Sequence, residues 1–147
     1  MYKHILISTD GSEVAQKGVD HGLSLAKNLG ARVTIITVTE RLSGYIGIGA
    51  WIPAPVEMAG YEASQKEMVD KILTTAKALA DRIGVEAETL HIPDAVPADA
   101  IIETARAKHC SLIAMASHGR RGLGRLLLGS QTTEVLARSP VPVLVVR

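Results

Sequence analysis

Short apolar runs alternate along the chain with longer segments in which apolar residues recur at three- and four-residue steps. The runs predict five β-strands, and the periodic segments predict four helices. The strands are expected at 4–8, 32–38, 85–92, 111–117 and 141–146, and the helices at 12–29, 61–83, 97–108 and 131–138. Gly30 and Gly84 follow the first two helices, a common place for a helix to end.

This alternation predicts an α/β fold: a single doubly wound domain over residues 1–147, with a five-stranded parallel sheet in the order 3-2-1-4-5 and helices on both faces. The first, second, fourth and fifth strands are apolar enough to be buried on both faces, whereas 85–92 alternates like an edge strand. Ligands bind such sheets outside the carboxyl ends of the strands, where the chain reverses direction. We therefore expect the loops 8–12 and 116–131 to face each other across a crevice.

Composition and charge narrow the possible functions. A chain of 147 residues with 47% hydrophobic and 21% charged residues is typical of one globular domain. Its net charge of +1 disfavours a broad surface for nucleic acid or anionic membrane, and no apolar window reaches the roughly 18 residues that a membrane span needs. The single cysteine, Cys110, is expected to be a buried thiol in a reducing compartment. We expect a cytoplasmic protein without nucleic-acid or membrane partners.

The segment 116–131, ASHGRRGLGRLLLGSQ, combines glycines with basic side chains just before a predicted helix. It lacks the lysine of a Walker A loop and the G-x-G-x-x-G spacing of a dinucleotide-binding fingerprint. A helix start at Gly129-Ser130 would still favour an anion, because the N–H groups of a first helical turn are unpaired. Two interpretations remain open: a phosphate site, or a loop that the glycines only shape, with Ser130 as the helix N-cap.

The same segment resembles the universal stress protein family, and the resemblance extends over nearly the whole chain. Nucleotide-binding members carry G-x2-G-x9-G-[ST]; Gly119, Gly129 and Ser130 match this spacing, and Ala116 replaces the first glycine. The stretches ILISTDGS (5–12) and SPVPVLVVR (139–147) are also similar to the family. The resemblance implies a protein that binds ATP or AMP, with any magnesium ion held through the phosphates and not by protein side chains.

The resemblance also implies roles for individual residues. Asp10 would reach the ribose, Val38 would contact adenine through its backbone, and Met115 and Ala116 would flank the ribose. The nucleotide-binding set implied in this way is Ser8, Thr9, Asp10, Val38, Met115, Ala116, Ser117, His118, Gly119, Arg120, Gly129, Ser130, Gln131 and Thr132. Asp10 can also form an Asx turn before the first helix, and the two roles are compatible. Arg120 is as well suited to a solvated surface as to a phosphate.

The last apolar run, 141–146, is expected at a sheet edge, where unpaired N–H and C=O groups invite pairing. Relatives pair this strand across a two-fold axis. The resemblance therefore implies a homodimer joined through Val141, Pro142, Val143, Leu144, Val145 and Val146. The segment 39–60, which contains Tyr45 and Trp51, is expected to pack on the domain or on a partner and not to cover the crevice.

The phosphate loop has no evident general base beside it, which favours a binding protein over an efficient enzyme. We expect a nucleotide-responsive stress or signalling dimer with at most slow ATPase activity. One alternative is a protein-interaction dimer of the same fold that binds no nucleotide. A second alternative is an enzyme that transfers adenylate, for which the sequence offers no recognisable acceptor site.

Overall fold

The computed structural model describes residues 1–40, 55–119 and 127–147. They form strands β1 His4–Ser8, β2 Arg32–Val38, β3 Ala87–Ile92, β4 Leu112–Ala116 and β5 Val143–Val146, and helices α1 Glu13–Leu29, α2 Pro55–Ile83, α3 Pro97–Ala107 and α4 Ser130–Arg138. All strand pairs are parallel, and the order is β3-β2-β1-β4-β5. The predicted doubly wound α/β fold is confirmed. None of the helices in the described residues is long and apolar enough to cross a membrane.

Helix α1 has capping residues at both ends. The Ser12 side chain accepts a hydrogen bond from the Ala15 N–H at 3.2 Å, and Gly30 ends the helix at φ 63°. Gly18 allows a close approach to the sheet, because a Cβ there would lie 3.2 Å from the Ala116 backbone nitrogen. Helix α1 therefore packs directly against the carboxyl end of β4.

The sheet separates two apolar cores. Helices α1 and α2 cover one face, to which the central strands contribute Ile5, Ile7, Val33, Ile35 and Ala114. Helices α3 and α4 cover the other face, to which the same strands contribute Leu6, Ile36, Ile113 and Met115. Alternate residues of each strand thus point to opposite cores, as the pleat of a β-strand requires. Cys110 is buried as predicted, and burial raises the pKa of its thiol to about 11.

Strand β5 corrects one prediction, because it is not buried on both faces. Val143, Leu144 and Val145 are only half-buried, and the strand begins at Val143 and not at residue 141. Within the described residues β5 pairs with β4 alone and forms one edge of the sheet. No strand of this chain that the structure describes lies against its outer side, which accounts for the partial exposure.

Helix α2 corrects a second prediction, because it begins at Pro55 and not at residue 61. Proline is tolerated in the first turn of a helix, where its missing N–H would have no intrahelical partner. Gly60 lies inside the helix at a cost of about 1 kcal/mol relative to alanine. Tyr45 and Trp51 lie outside the described residues, so the packing of that part of the chain stays a prediction.

A chain of hydrogen bonds crosses the sheet near the amino ends of the strands. His4 is buried, with Nδ1 3.0 Å from the Lys108 carbonyl oxygen and Nε2 2.8 Å from Thr34 Oγ1. The Thr34 hydroxyl donates a hydrogen bond to Glu88 Oε1 at 2.8 Å. Burial, reinforced by the positive charge of Arg32, lowers the pKa of His4 below its usual 6.5. The fold therefore favours the neutral imidazole.

We expect the free energy of unfolding to fall as the pH drops below about 6.5, because the unfolded chain then binds a proton that buried His4 resists. The loss begins at the unfolded pKa and continues down through the lowered folded pKa. Thermal unfolding at about pH 7.5 and about pH 5.5 tests this. The His4→Gln variant, which has no titratable ring, should lose less Tm over this interval than the unsubstituted protein. Equal losses in the two proteins would show that another group is responsible.

Candidate functional site

A crevice lies at the carboxyl ends of β1, β2 and β4 and contains two adjoining chambers. The smaller, here the β4 chamber, has a volume of about 150 Å³ and extends toward Met115, Ala116 and Ile101. The larger, here the α2 chamber, has a volume of about 360 Å³ and extends toward Tyr61 and Gln65. The residues that line both chambers are Asp10, Val38, Pro97, Gly119, Gln131 and Thr132. The crevice is thus where the strand order predicted it.

The loop after β1 brings a carboxylate to the junction of the two chambers. Asp10 Oδ1 accepts a hydrogen bond from the Ser12 N–H at 2.9 Å, which is the Asx turn that the sequence suggested. Thr9 is buried, and its backbone N–H donates to the Ile36 carbonyl at 2.9 Å. The Thr37 hydroxyl donates to the Thr9 carbonyl, also at 2.9 Å. These bonds fix the loop against β2, so the position of Asp10 is set by the sheet.

Gly119 faces Asp10 across the crevice. A Cβ built on Gly119 would lie only 2.7 Å from Asp10 Oδ2, which is closer than carbon and oxygen atoms approach. The carboxylate cannot simply turn aside without disturbing its bond to the Ser12 N–H. A glycine at position 119 therefore lets Asp10 keep this position, whereas a larger residue would push the carboxylate aside.

Helix α4 begins at the crevice without a side-chain cap. Its N-cap is Gly129, with φ −61° and ψ 153°, and Ser130 is the first helical residue. The interpretation of Ser130 as N-cap is therefore wrong. The Gly129 N–H donates to the Ser117 carbonyl at 2.8 Å, and a Cβ on Gly129 would lie 3.2 Å from His118 Cα. The N–H groups of the first turn follow this point, and they have no partner within a helix.

Two buried residues, Thr132 and Ser117, anchor this helix start and β4 to their surroundings. The Thr132 hydroxyl donates to the Ala116 carbonyl at 3.1 Å. The Ser117 backbone N–H donates to the Val146 carbonyl of β5 at 2.7 Å, and the Ser117 side chain lies 3.0 Å from His118 Nδ1. The end of β4 is thus tied on one side to α4 and on the other to the edge strand.

Gln131 joins α4 to the start of α3. Its Oε1 accepts a hydrogen bond from the Ala98 backbone N–H at 2.9 Å. The N-cap of α3, Val96, provides no side-chain hydrogen bond, and the first residue of α3, Pro97, has no N–H. Gln131 therefore acts as the cap that α3 lacks. Because the oxygen faces α3, the amide NH₂ is the group that this side chain can present to the crevice.

The structure places the predicted nucleotide-binding residues as one group. Every member of the set that lies in the described residues lines the crevice, with the exception of Ser117, which is buried beside it. Arg120 lies outside the described residues. Ala116 is the last residue of β4, so its backbone is extended and accepts a Cβ without strain.

The sequence analysis missed the wall that α2 contributes to the crevice. Tyr61, Gln65, Met68 and Ile72 all line the α2 chamber. Their spacing of four, three and four residues is that of a single helix face, and this was the available signal. A helical pattern alone does not show whether such a face lies against the core or against a crevice.

Metal-ligating groups do not cluster in the part of the chain that the structure describes: it holds no group of three or more His, Cys, Asp or Glu side chains suited to a metal ion. Among the described residues that line the crevice, Asp10 and Glu40 carry carboxylates. The positive end of the α4 dipole lies opposite Asp10. The geometry suits a ligand that carries hydroxyl groups near Asp10 and an anionic group near α4.

Comparisons with known proteins agree with this arrangement. The sequence model of the universal stress protein family matches residues 1–147. Universal stress protein MJ0531 of Methanocaldococcus jannaschii is 36% identical, with 100% of this chain and 83% of that protein covered. The solved structure of protein MJ0577 from the same organism has a TM-score of 0.79 at 28% identity, with 99% and 96% of the two chains covered.

A universal stress protein solved in complex with cAMP has a TM-score of 0.69 at 24% identity, with 99% of this chain and 97% of that chain covered. At this identity the likeness shows a shared fold. The match of the family's sequence model over the full chain and the 36% identity to MJ0531 show common family membership in addition to a shared fold. The chain belongs to the universal stress protein family.

Proposed function

We propose that this protein binds an adenine nucleotide, ATP or AMP, in the crevice and acts as a nucleotide-responsive dimer. The observation that carries the proposal is the placement of Asp10, Gly119 and the uncapped start of α4 around one two-chambered crevice. A magnesium ion would be held through the phosphates.

The β4 chamber suits the base. Val38, Ile101 and Met115 give it apolar walls, and its volume of about 150 Å³ is small enough to enclose a single planar group. Asp10 lies at its mouth, where a carboxylate can accept hydrogen bonds from ribose hydroxyl groups.

The start of α4 suits the phosphates. Unpaired N–H groups and the positive end of the helix dipole favour an anion at Ser130, which is exposed to the α2 chamber. The cAMP complex of another protein of this fold supports the choice of adenine nucleotides as the first ligands to test.

Calorimetry on nucleotide-stripped protein should detect ATP or AMP binding, and Gly119→Ala should weaken it by about tenfold or more. The added methyl group would displace the Asp10 carboxylate from the position where it faces the ribose. Gly60→Ala is the matched control: nothing lies within 4 Å of its new methyl group, so affinity should not change. Absence of heat with any adenine nucleotide would favour the interaction dimer with an empty crevice.

Gln131→Glu should weaken nucleotide binding while leaving Tm unchanged or higher. The carboxylate can still accept from the Ala98 N–H, and a negative charge at the start of α3 is favourable by about 0.3–1 kcal/mol. The same charge repels phosphate, and the NH₂ donors are lost. Gln131→Ala, in contrast, should destabilise the fold by about 1 kcal/mol through loss of the cap. Unchanged ATP affinity in Gln131→Glu would remove Gln131 from the proposed site.

The proposed homodimer uses the outer side of β5. The carbonyls of Pro142 and Val146 accept hydrogen bonds from β4, so the intervening Val143 and Val145 direct their backbone N–H and C=O groups outward. A second copy of the strand can pair with these groups across a two-fold axis.

Val145→Pro should therefore convert the dimer to a folded monomer, because it removes one outward N–H and leaves the β4 ladder intact. Light scattering measures the mass, and circular dichroism checks the fold. Val146→Pro is the contrasting variant, since residue 146 faces β4 and proline there should destabilise the sheet itself. A Val145→Pro protein that remains a dimer of unchanged affinity would place the interface elsewhere.

A further inference from the structure

The wall that α2 gives the crevice has no role in the binding of a single nucleotide as proposed above. Tyr61, Gln65, Met68 and Ile72 form a stripe that runs for roughly 16 Å along the helix. We propose that the α2 chamber binds the second nucleoside of a dinucleotide, in which two nucleosides are joined by a chain of phosphates. This inference rests on the proposed function, since the first nucleoside and the phosphates occupy the sites assigned there.

The relative size of the two chambers supports the binding of a second organic group in the larger one. The α2 chamber, at about 360 Å³, falls by itself in the range of roughly 300–1,000 Å³ that is typical of ligand pockets. The base of a mononucleotide occupies the β4 chamber, and its phosphates require only the margin of the α2 chamber near Gly129 and Ser130. The rest of the α2 chamber, between β2 and α2, lies beyond the position proposed for the phosphates.

The chemistry of the α2 wall suits a planar neutral group and not additional phosphate. No lysine or arginine among the described residues lines this chamber. Met68 and Ile72 offer apolar surface to the face of a ring, and the half-exposed Tyr61 ring can stack on it. Gln65 has both a donor and an acceptor for the polar edge of a base.

The phosphate-binding end and the α2 wall belong to one continuous space. Ser130, at the start of α4, lines the same chamber as Tyr61 and Gln65. A phosphate chain that begins in the β4 chamber and passes the start of α4 is therefore directed toward α2. Thr39 closes the far side, where its hydroxyl is held 2.8 Å from His91 Nε2.

Calorimetry with diadenosine tetraphosphate, ATP and AMP as probes tests the inference. We expect diadenosine tetraphosphate to bind about tenfold or more tightly than ATP. Tyr61→Ala and Gln65→Ala should each reduce this advantage while leaving ATP affinity unchanged. Glu62→Ala and Lys66→Ala are matched controls, because these exposed neighbours on α2 do not line the chamber and should alter neither affinity.

The outcomes separate this inference from the proposed function. If ATP binds and diadenosine tetraphosphate binds no more tightly, the second nucleoside site is refuted and the nucleotide proposal stands. If Tyr61→Ala weakens ATP and the dinucleotide equally, the α2 wall contacts the first nucleotide and the inference is again refuted. If none of the three probes binds, the proposed function fails, and the dinucleotide site fails with it.

Discussion

The pairing of β1 with β4 is the contact on which the candidate site depends. Ile7 lies beside Ala114 in this register, so the loops that follow the two strands leave the sheet together and bring Asp10 to Gly119. A slip of one residue would turn the side chains of a strand to the opposite core. Helix α1 contacts both strands through glycines, since a Cβ on Gly22 would lie 2.6 Å from Ile7 Cδ1. The packing that buries the core thus also sets the geometry of the crevice.

The glycine motif has an explanation in contacts within the protein itself. Gly129 has φ −61°, which any residue can adopt, so it is not needed for an unusual backbone conformation. A Cβ on Gly129 would instead lie 3.2 Å from His118 Cα, a contact that the neighbouring loop would have to relax, and a Cβ on Gly119 would press on the Asp10 carboxylate. The spacing of the glycine motif therefore reflects the close approach of the loop after β1 to the loop after β4, and of the latter loop to the start of α4. A ligand would use the backbone that this approach exposes, but the glycines already avoid close contacts within the protein itself.

Features encoded by local pattern were predictable, and features that depend on distant contacts were not. The Gly30 helix end and the strand order follow from periodicity and turn chemistry, and the structure confirms them. The start of α2 was missed because Pro55 and Gly60 resemble loop residues when packing is unknown. The contact of Gln131 with α3 joins residues far apart in the sequence, and no spacing rule could have indicated it. The residues that line the crevice were therefore easier to predict than the hydrogen bonds they form.

The hydrogen bond from the Ser117 N–H to the Val146 carbonyl connects the edge strand β5 to the end of β4, which lies beside the crevice. Ser117 follows the last residue of β4, and Val146 belongs to the strand proposed to pair between two copies. If a ligand strengthens subunit association by some factor, subunit association strengthens ligand binding by the same factor, because the two equilibria are thermodynamically linked. Protein concentration would then alter the apparent dissociation constant of the ligand. Titrations at a single concentration would report a mixture of the two equilibria.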